Sequence, residues 1–268
     1  MAQFKTHLTN DLPKTSFLKL LGFNISPLSV DDLVNSVIEA VQEKRSEYHC
    51  FAATHNLVEG VLSKRHNQAL QNARNIFPDG MPIVKILNLF KKSALKRISG
   101  IDVVEPLLQA CSREGLSIAF YGGEQQMLKQ LQEQLSTSHP KLKCVGFFSP
   151  PMLPVEQLIQ DKQLEALKQA SPDIIFVFLG CPKQEYWMLE THKKINAVYF
   201  GLGFALTLYT GNVKRAPKLM QNLCLEWFYR LLQSPKKLFW RYCYYNSLFI
   251  YFSGLDLLGF RFSLKNIN

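Results

Sequence analysis

At 268 residues, with 47% hydrophobic and 19% charged side chains, the chain has material for a full core and is too apolar for disorder. A formal net charge of +10 calls for an anionic partner, while no run of about 18 uncharged apolar residues is present to span a bilayer. The first 20 residues carry lysines and an aspartate without an apolar centre, which excludes a secretory signal or a membrane span there.

In chain order, residues 17–25 read as a first strand and residues 29–43 as a helix with Ser29 as N-cap and acids in its first turn. A short strand over 49–54 runs into Asn56, and residues 57–74 read as one helix. A stub of strand at 75–77 is stopped by Pro78-Asp79-Gly80, after which 82–90 resumes as an apolar helix with proline in its first turn. A basic loop at 91–97 precedes a helix over 102–113. Residues 116–121 form a buried strand that ends in Gly122-Gly123 before a glutamine-rich helix to Leu135. The same strand–glycine–helix character returns at 174–180, followed by Pro182-Lys183-Gln184-Glu185. A last strand at 197–200 closes on Gly201-Leu202-Gly203.

This alternation over 200 residues predicts an α/β fold, a mostly parallel sheet with helices on both faces. After Pro217 the pattern changes. Leu219, Leu223, Trp227, Leu231 and Leu232 recur at helical spacing, Ser234-Pro235 breaks them, and an aromatic-rich helix follows over 236–252. From Lys214 to Arg241, seven cations stand against one acid, Glu226, a net +6 that exceeds half of the chain's excess. We expect an α/β catalytic domain over 1–213 and, over 214–268, a basic and aromatic helical appendage that lies on anionic lipid without spanning it. The six cysteines (Cys50, Cys111, Cys144, Cys181, Cys224, Cys243) are scattered without a C-x-x-C pair, which predicts buried free thiols, a reducing cytoplasm and no zinc-ligand spacing.

In an open α/β sheet, side chains just beyond the carboxyl ends of the strands converge on one crevice. Thr54-His55-Asn56, Pro78-Asp79-Gly80 and Pro182-Lys183-Gln184-Glu185 all follow apolar runs and so meet there. Asp79 is either a structural turn residue or a general base for a hydroxyl. Gly180, Lys183, Gln184 and Glu185 are either an ordinary first helical turn or an amide and a cation at a phosphate-binding helix N-terminus. Gly122 and Gly123 are either a tight turn or a close approach to a nucleotide, and Arg97 with Asp102 is either a surface ion pair or a phosphate clamp. No D-x-D pair, H-E-x-x-H or Cys/His cluster is present to hold a divalent ion, which predicts chemistry without metal or cofactor.

These motifs, in this order across residues 17–242, resemble the WecG/TagA/CpsF family of bacterial glycosyltransferases (glycosyltransferase family 26). The resemblance rests on Thr54-x-Asn56, Asn75-x-x-Pro78-Asp79-Gly80, Arg97-x-x-Gly100-x-Asp102, Tyr121-Gly122-Gly123 and Leu179-Gly180-x-Pro182-Lys183-Gln184-Glu185. Its most specific part is Gly211-x-Val213-Lys214-Arg215-Ala216-Pro217 before Glu226-Trp227-x-Tyr229-Arg230. It implies inverting transfer from a UDP-sugar to a polyprenyl-diphosphate-linked sugar at the inner face of the cell membrane, feeding surface polysaccharide synthesis. It implies Asp79 as base, with Thr54, Asn56 and Gln184 lining the site. Arg97, Lys214, Arg215 and Arg230 would bind diphosphate and membrane. It further implies an oligomeric inactive form and no nucleic-acid partner. Leu206-Thr207 departs from the family's usual Phe-Asp, so no role passes from that aspartate. The rivals are a nucleotide-dependent oxidoreductase built on Gly122-Gly123, which lacks a following acid to hold a ribose, and a non-catalytic lipid- or nucleic-acid-binding module.

Overall fold

The computed structural model describes residues 17–222 and 225–260, so the expectations for residues 1–16, for the Cys224 thiol and for Leu223 lie outside the described residues. Where one strand was expected, β1 (Leu18–Leu20) and β2 (Phe23–Ile25) form an antiparallel hairpin. Leu21 and Gly22, with φ of 52° and 82°, make a two-residue turn whose positive dihedrals match the twist of the strands. Helix α1 (Val30–Gln42) starts at a capping box in which the Ser29 hydroxyl accepts from the Asp32 amide. Strand β3 (Glu47–Ala52) follows, then α2 (Thr54–Leu62) and α3 (Lys64–Gln71) in place of one long helix. Ser63 makes the break. It adopts extended φ/ψ and its hydroxyl accepts from the His66 amide, so one residue ends α2 and caps α3.

Next come β4 (Asn75–Pro78), α4 (Met81–Lys91), α5 (Gly100–Glu114), β5 (Ser117–Tyr121) and α6 (Gln125–Ser138). Strand β6 (Lys143–Phe148) and helices α7 (Val155–Leu158) and α8 (Lys162–Ala170) were not anticipated, because β6 is an edge strand with little buried surface to mark it. They lead to β7 (Ile174–Val177), α9 (Lys183–Thr191), β8 (Val198–Gly201) and the short α10 (Ala205–Tyr209). The C-terminal stretch holds α11 (Lys218–Asn222), α12 (Glu226–Gln233) and α13 (Pro235–Leu257).

The eight strands form one sheet in the order β1-β2-β4-β3-β8-β7-β5-β6, parallel except for β1. The central strands are buried on both faces, as helix-covered parallel strands are. Tyr48, Cys50, Ile76, Val177 and Tyr199 face a core shared with α2, α3, α4 and α9; Phe51, Phe77, Phe176 and Phe200 face α1, α5 and α6. Among the cysteines, Cys50 and Cys111 are buried as expected, but Cys144, on the edge strand β6, and Cys181, in the loop before α9, are half-buried, and Cys243 on α13 is exposed.

Helix α13 is packed along α2. Phe249 is buried in the core, Asn246 bonds the Thr54 hydroxyl at 2.9 Å, Tyr245 donates to Glu59 at 3.0 Å and Asp256 accepts from the Leu21 amide at 3.2 Å. No helix among the described residues is long and apolar enough to cross a membrane.

Candidate active site

A cavity of about 600 Å³ opens over the carboxyl ends of the four central strands. Strand β3 contributes Phe51, Ala53 and Asn56 beyond its end, β4 contributes Asp79, β7 contributes Gly180 and Gln184, and β8 contributes Gly201 and Gly203. Arg230 of α12 and Arg241 of α13 complete the wall. The carboxylate and the amide picked out from sequence, 105 positions apart, therefore face one space.

Asp79 is positioned by main-chain bonds. Its N–H donates to the Ala52 carbonyl at 3.0 Å, and the Pro78 carbonyl before it accepts from Ile98 at 3.1 Å. Burial pushes its carboxyl up to about 6, against the pull of Arg97 and Arg230 and with the help of Glu226 and Asp102. Burial, reinforced by Arg241 and Arg230, lowers His55 to about 3 and so keeps it neutral.

The floor is a buried polar network. Asn56 donates from Nδ2 to Glu185 Oε1 at 3.0 Å, and its Oδ1 lies 2.9 Å from His66 Nε2. Gln184 donates from Nε2 to the same Glu185 oxygen at 3.0 Å and to the Gly201 carbonyl at 3.1 Å. Gln184 Oε1 and His66 Nδ1 are buried without a partner among the described residues, a position that costs about 1–3 kcal/mol where nothing satisfies it, and of the two residues only Gln184 lines the cavity. Burial raises the Glu185 carboxyl, and the Gln184 amide, its own backbone and Asn56 oppose the shift. Gly203, at φ 48°, is the close-approach position: a Cβ there would stand 3.1 Å from Gln184 Oε1.

Beside the cavity, four charges alternate in a ring. Arg97 bonds Glu226 at 2.6 Å and lies 3.9 Å from Asp102, while Arg215 lies 2.8 Å from Asp102 and 3.6 Å from Glu226. Burial raises Asp102, but the Ser99 hydroxyl and amide and Arg215 outweigh it and hold the carboxyl below its ordinary value. This ring consumes the charges of Arg97 and Arg215, neither of which lines the cavity. Arg230, lying 4.2 Å over the Phe204 ring, and Arg241 have no ion pair among the described residues.

The other expected residues fall outside the cavity lining. Thr54 spends its hydroxyl on Asn246, Lys183 stands at the start of α9, Lys214 is exposed, and Glu185 lies beneath the floor. Gly122 and Gly123, with φ of 100° and 86°, form a tight turn and line none of the cavity; a Cβ at Gly122 would meet the Phe178 backbone at 2.8 Å and one at Gly123 would meet Leu206 at 2.5 Å, so the turn requires glycine at both positions. Sequence reasoning missed Arg241 as a lining residue; it was visible only as one cation in a basic run. It also missed His66, and it overlooked that His66, Cys181 and Glu185 bring one ligand atom each within 4.8 Å of one another. That spread is wide for zinc, whose donors at bonds of about 2.0–2.3 Å sit under about 4 Å apart, and Asn56 already occupies two of the groups. The cluster reads as part of the hydrogen-bonded floor.

The family model for the glycosyl transferase WecG/TagA/CpsF family matches residues 18–261. A Bacillus subtilis protein named N-acetylglucosaminyldiphosphoundecaprenol N-acetyl-beta-D-mannosaminyltransferase is 32% identical over 216 residues, covering 80% of this chain and 76% of its own. A Bacillus spizizenii protein of the same name is 32% identical over 184 residues, 68% of this chain and 69% of its own.

Proposed function

The chain belongs to the WecG/TagA/CpsF glycosyltransferase family, and from that premise we propose that it transfers an N-acetylated hexosamine from a UDP-sugar to a polyprenyl-diphosphate-linked saccharide. The transfer inverts the anomeric centre and needs no metal. The observation that carries this reading is one cavity lined by Asp79, Arg230 and Arg241, the two arginines making no ion pair among the described residues.

Asp79, with a carboxyl near 6, is mostly ionised at neutral pH and still basic enough to take the proton of an acceptor hydroxyl. The oxygen it activates attacks the anomeric carbon as the bond to the UDP oxygen breaks. One displacement on an α-linked nucleotide sugar yields the β linkage named for the relatives. Arg230 and Arg241 stabilise the charge that develops on the departing diphosphate, the task a divalent ion performs elsewhere. Thr207 lines the same cavity and offers a hydroxyl where a carboxylate would oppose that charge.

The acceptor named for the relatives carries a polyprenyl chain, which supports a reaction at the inner face of the membrane. Helices α11, α12 and α13 serve as the docking surface. Trp227, Phe239, Trp240, Tyr244, Ile250 and Tyr251 are exposed on α12 and α13, as is Lys236. The test is UDP release from a panel of UDP-sugars with a short-chain lipid-diphosphate N-acetylglucosamine acceptor, run with and without chelator. Turnover with a UDP-N-acetylhexosamine that survives chelation is expected. No release with any donor would refute the activity, and loss on chelation would refute the metal-free mechanism. Cosedimentation with anionic but not neutral liposomes tests the docking surface.

A further inference from the structure

The hydrogen bonds beneath the cavity leave each floor amide a single orientation. Glu185 Oε1 and the Gly201 carbonyl are both acceptors, so Gln184 must turn its NH₂ group toward them at 3.0 and 3.1 Å. The flipped amide would set an oxygen against two oxygens. Gln184 Oε1 is then the atom left over, and it has no partner among the described residues. Asn56 is held the same way. Its NH₂ faces Glu185 at 3.0 Å, so its Oδ1 faces His66 Nε2 at 2.9 Å, and the imidazole must carry its proton on Nε2. One N–H of Asn56 stays uncommitted, because only Glu185 receives a bond from that nitrogen. Asn56 and Gln184 both line the cavity, while His66 and Glu185 are buried behind them and line none of it.

We propose that His66 and Glu185 are positioning residues that lock Asn56 as a donor and Gln184 as an acceptor, a pair matched to the secondary amide of an N-acetylated donor sugar. The acetamido carbonyl takes the free Asn56 N–H, and the acetamido N–H satisfies the orphaned Gln184 Oε1. A Cβ at Gly203 would stand 3.1 Å from that oxygen, so glycine there leaves it uncapped by a further side chain. The assignment rests on reading the cavity as the donor-sugar site. It goes beyond that reading by naming the group recognised and the two residues that enforce its polarity. His66 suits the role because burial lowers its ring to about 4, so it remains a neutral Nε2–H donor throughout the working range.

The test compares kcat/KM for a UDP-N-acetylhexosamine with that for the corresponding UDP-2-deoxyhexose, which lacks the amide. A site built to hydrogen-bond a group rejects an analogue without it by about a hundredfold or more, and the wild-type enzyme is expected to do so. His66→Leu removes the donor to Asn56 and should reduce that preference at least about tenfold, acting on the amide-bearing substrate and sparing the deoxy one. His66→Gln, which restores an N–H near the same point, should return the preference to within about threefold of wild type. Equal losses on both substrates in His66→Leu would reduce His66 to a packing role and overturn the proposal, as would a wild-type enzyme indifferent to the acetamido group. If no UDP-sugar is a donor, the enzymatic reading fails on its own, and nitrogen-15 NMR of the wild-type protein still decides the lock. An Nε2–H tautomer at His66 from pH 6 to 8 supports it; an Nδ1–H tautomer sinks it.

Discussion

Asp79→Asn separates catalysis from stability, because the two respond in opposite directions. The carboxyl rises from an ordinary 3.8 to about 6 in the folded protein, and burial is the largest cause. Two units at about 1.4 kcal/mol each make its ionised form roughly 3 kcal/mol less favourable folded than unfolded. The sign follows from proton counts. Below 3.8 both states are protonated and nothing is lost. Between 3.8 and about 6 the folded state holds more protons, so stability falls as pH rises, and above 6 the whole penalty remains. Asparagine cannot ionise and escapes it. Asp79→Asn should therefore abolish UDP release while raising the melting temperature at pH 7.5 by several degrees, at about 2–4 °C per kcal/mol for a chain somewhat smaller than this one. The gain should shrink toward zero near pH 4. Differential scanning calorimetry across that range, paired with the transfer assay, reads both effects. A variant that turns over, or one less stable than wild type at pH 7.5, would refute the account of a desolvated base.

Arg230 lowers the Asp79 carboxyl and Glu226 raises it, so Arg230→Gln should move the acid limb of the kcat/KM profile above its wild-type midpoint near pH 6 and Glu226→Gln should move it below; parallel shifts would contradict the electrostatics. Arg230→Gln should also weaken inhibition by UDP about tenfold, as expected when one charge-assisted contact is lost. Glu226→Gln removes the carboxylate that holds Arg97 and Arg215, and urea titration should show a loss of about 1–3 kcal/mol. Gly122→Ala forces a Cβ to within 2.8 Å of the Phe178 backbone at a φ of 100°, and should cost about 2 kcal/mol or more while UDP affinity stays within about twofold.

Periodicity made the sheet legible, because β3, β4, β7 and β8 are buried on both faces and their apolar runs stop at glycine, proline or polar residues that belong to the cavity. Asp79, Asn56 and Gln184 could be read for that reason. Strand β6 escaped because an edge position leaves it half-exposed. Ser63 escaped because a serine inside an apolar-periodic stretch looks like an ordinary helix residue until its hydroxyl is seen to cap α3. The cations were the hardest to sort. Arg215 and Arg230 look alike in sequence, yet one is neutralised by Asp102 and Glu226 while the other lies over an aromatic ring at the cavity wall. The Arg215–Asp102 pair joins residues more than 100 positions apart, which no local pattern records.

Strands β4, β3, β8 and β7 are consecutive in the sheet, and Asp79 and Gln184 stand beyond the two outer members of that quartet. Main-chain pairing therefore works as a gauge: three inter-strand steps of about 4.8 Å set roughly 14 Å between the ends of β4 and β7. No side-chain substitution can alter that pitch. A longer acid in place of Asp79 would overshoot its target with nothing on the far bank able to yield, and tailoring this scaffold to a bulkier sugar means changing the loops above the strands while leaving the ruler alone.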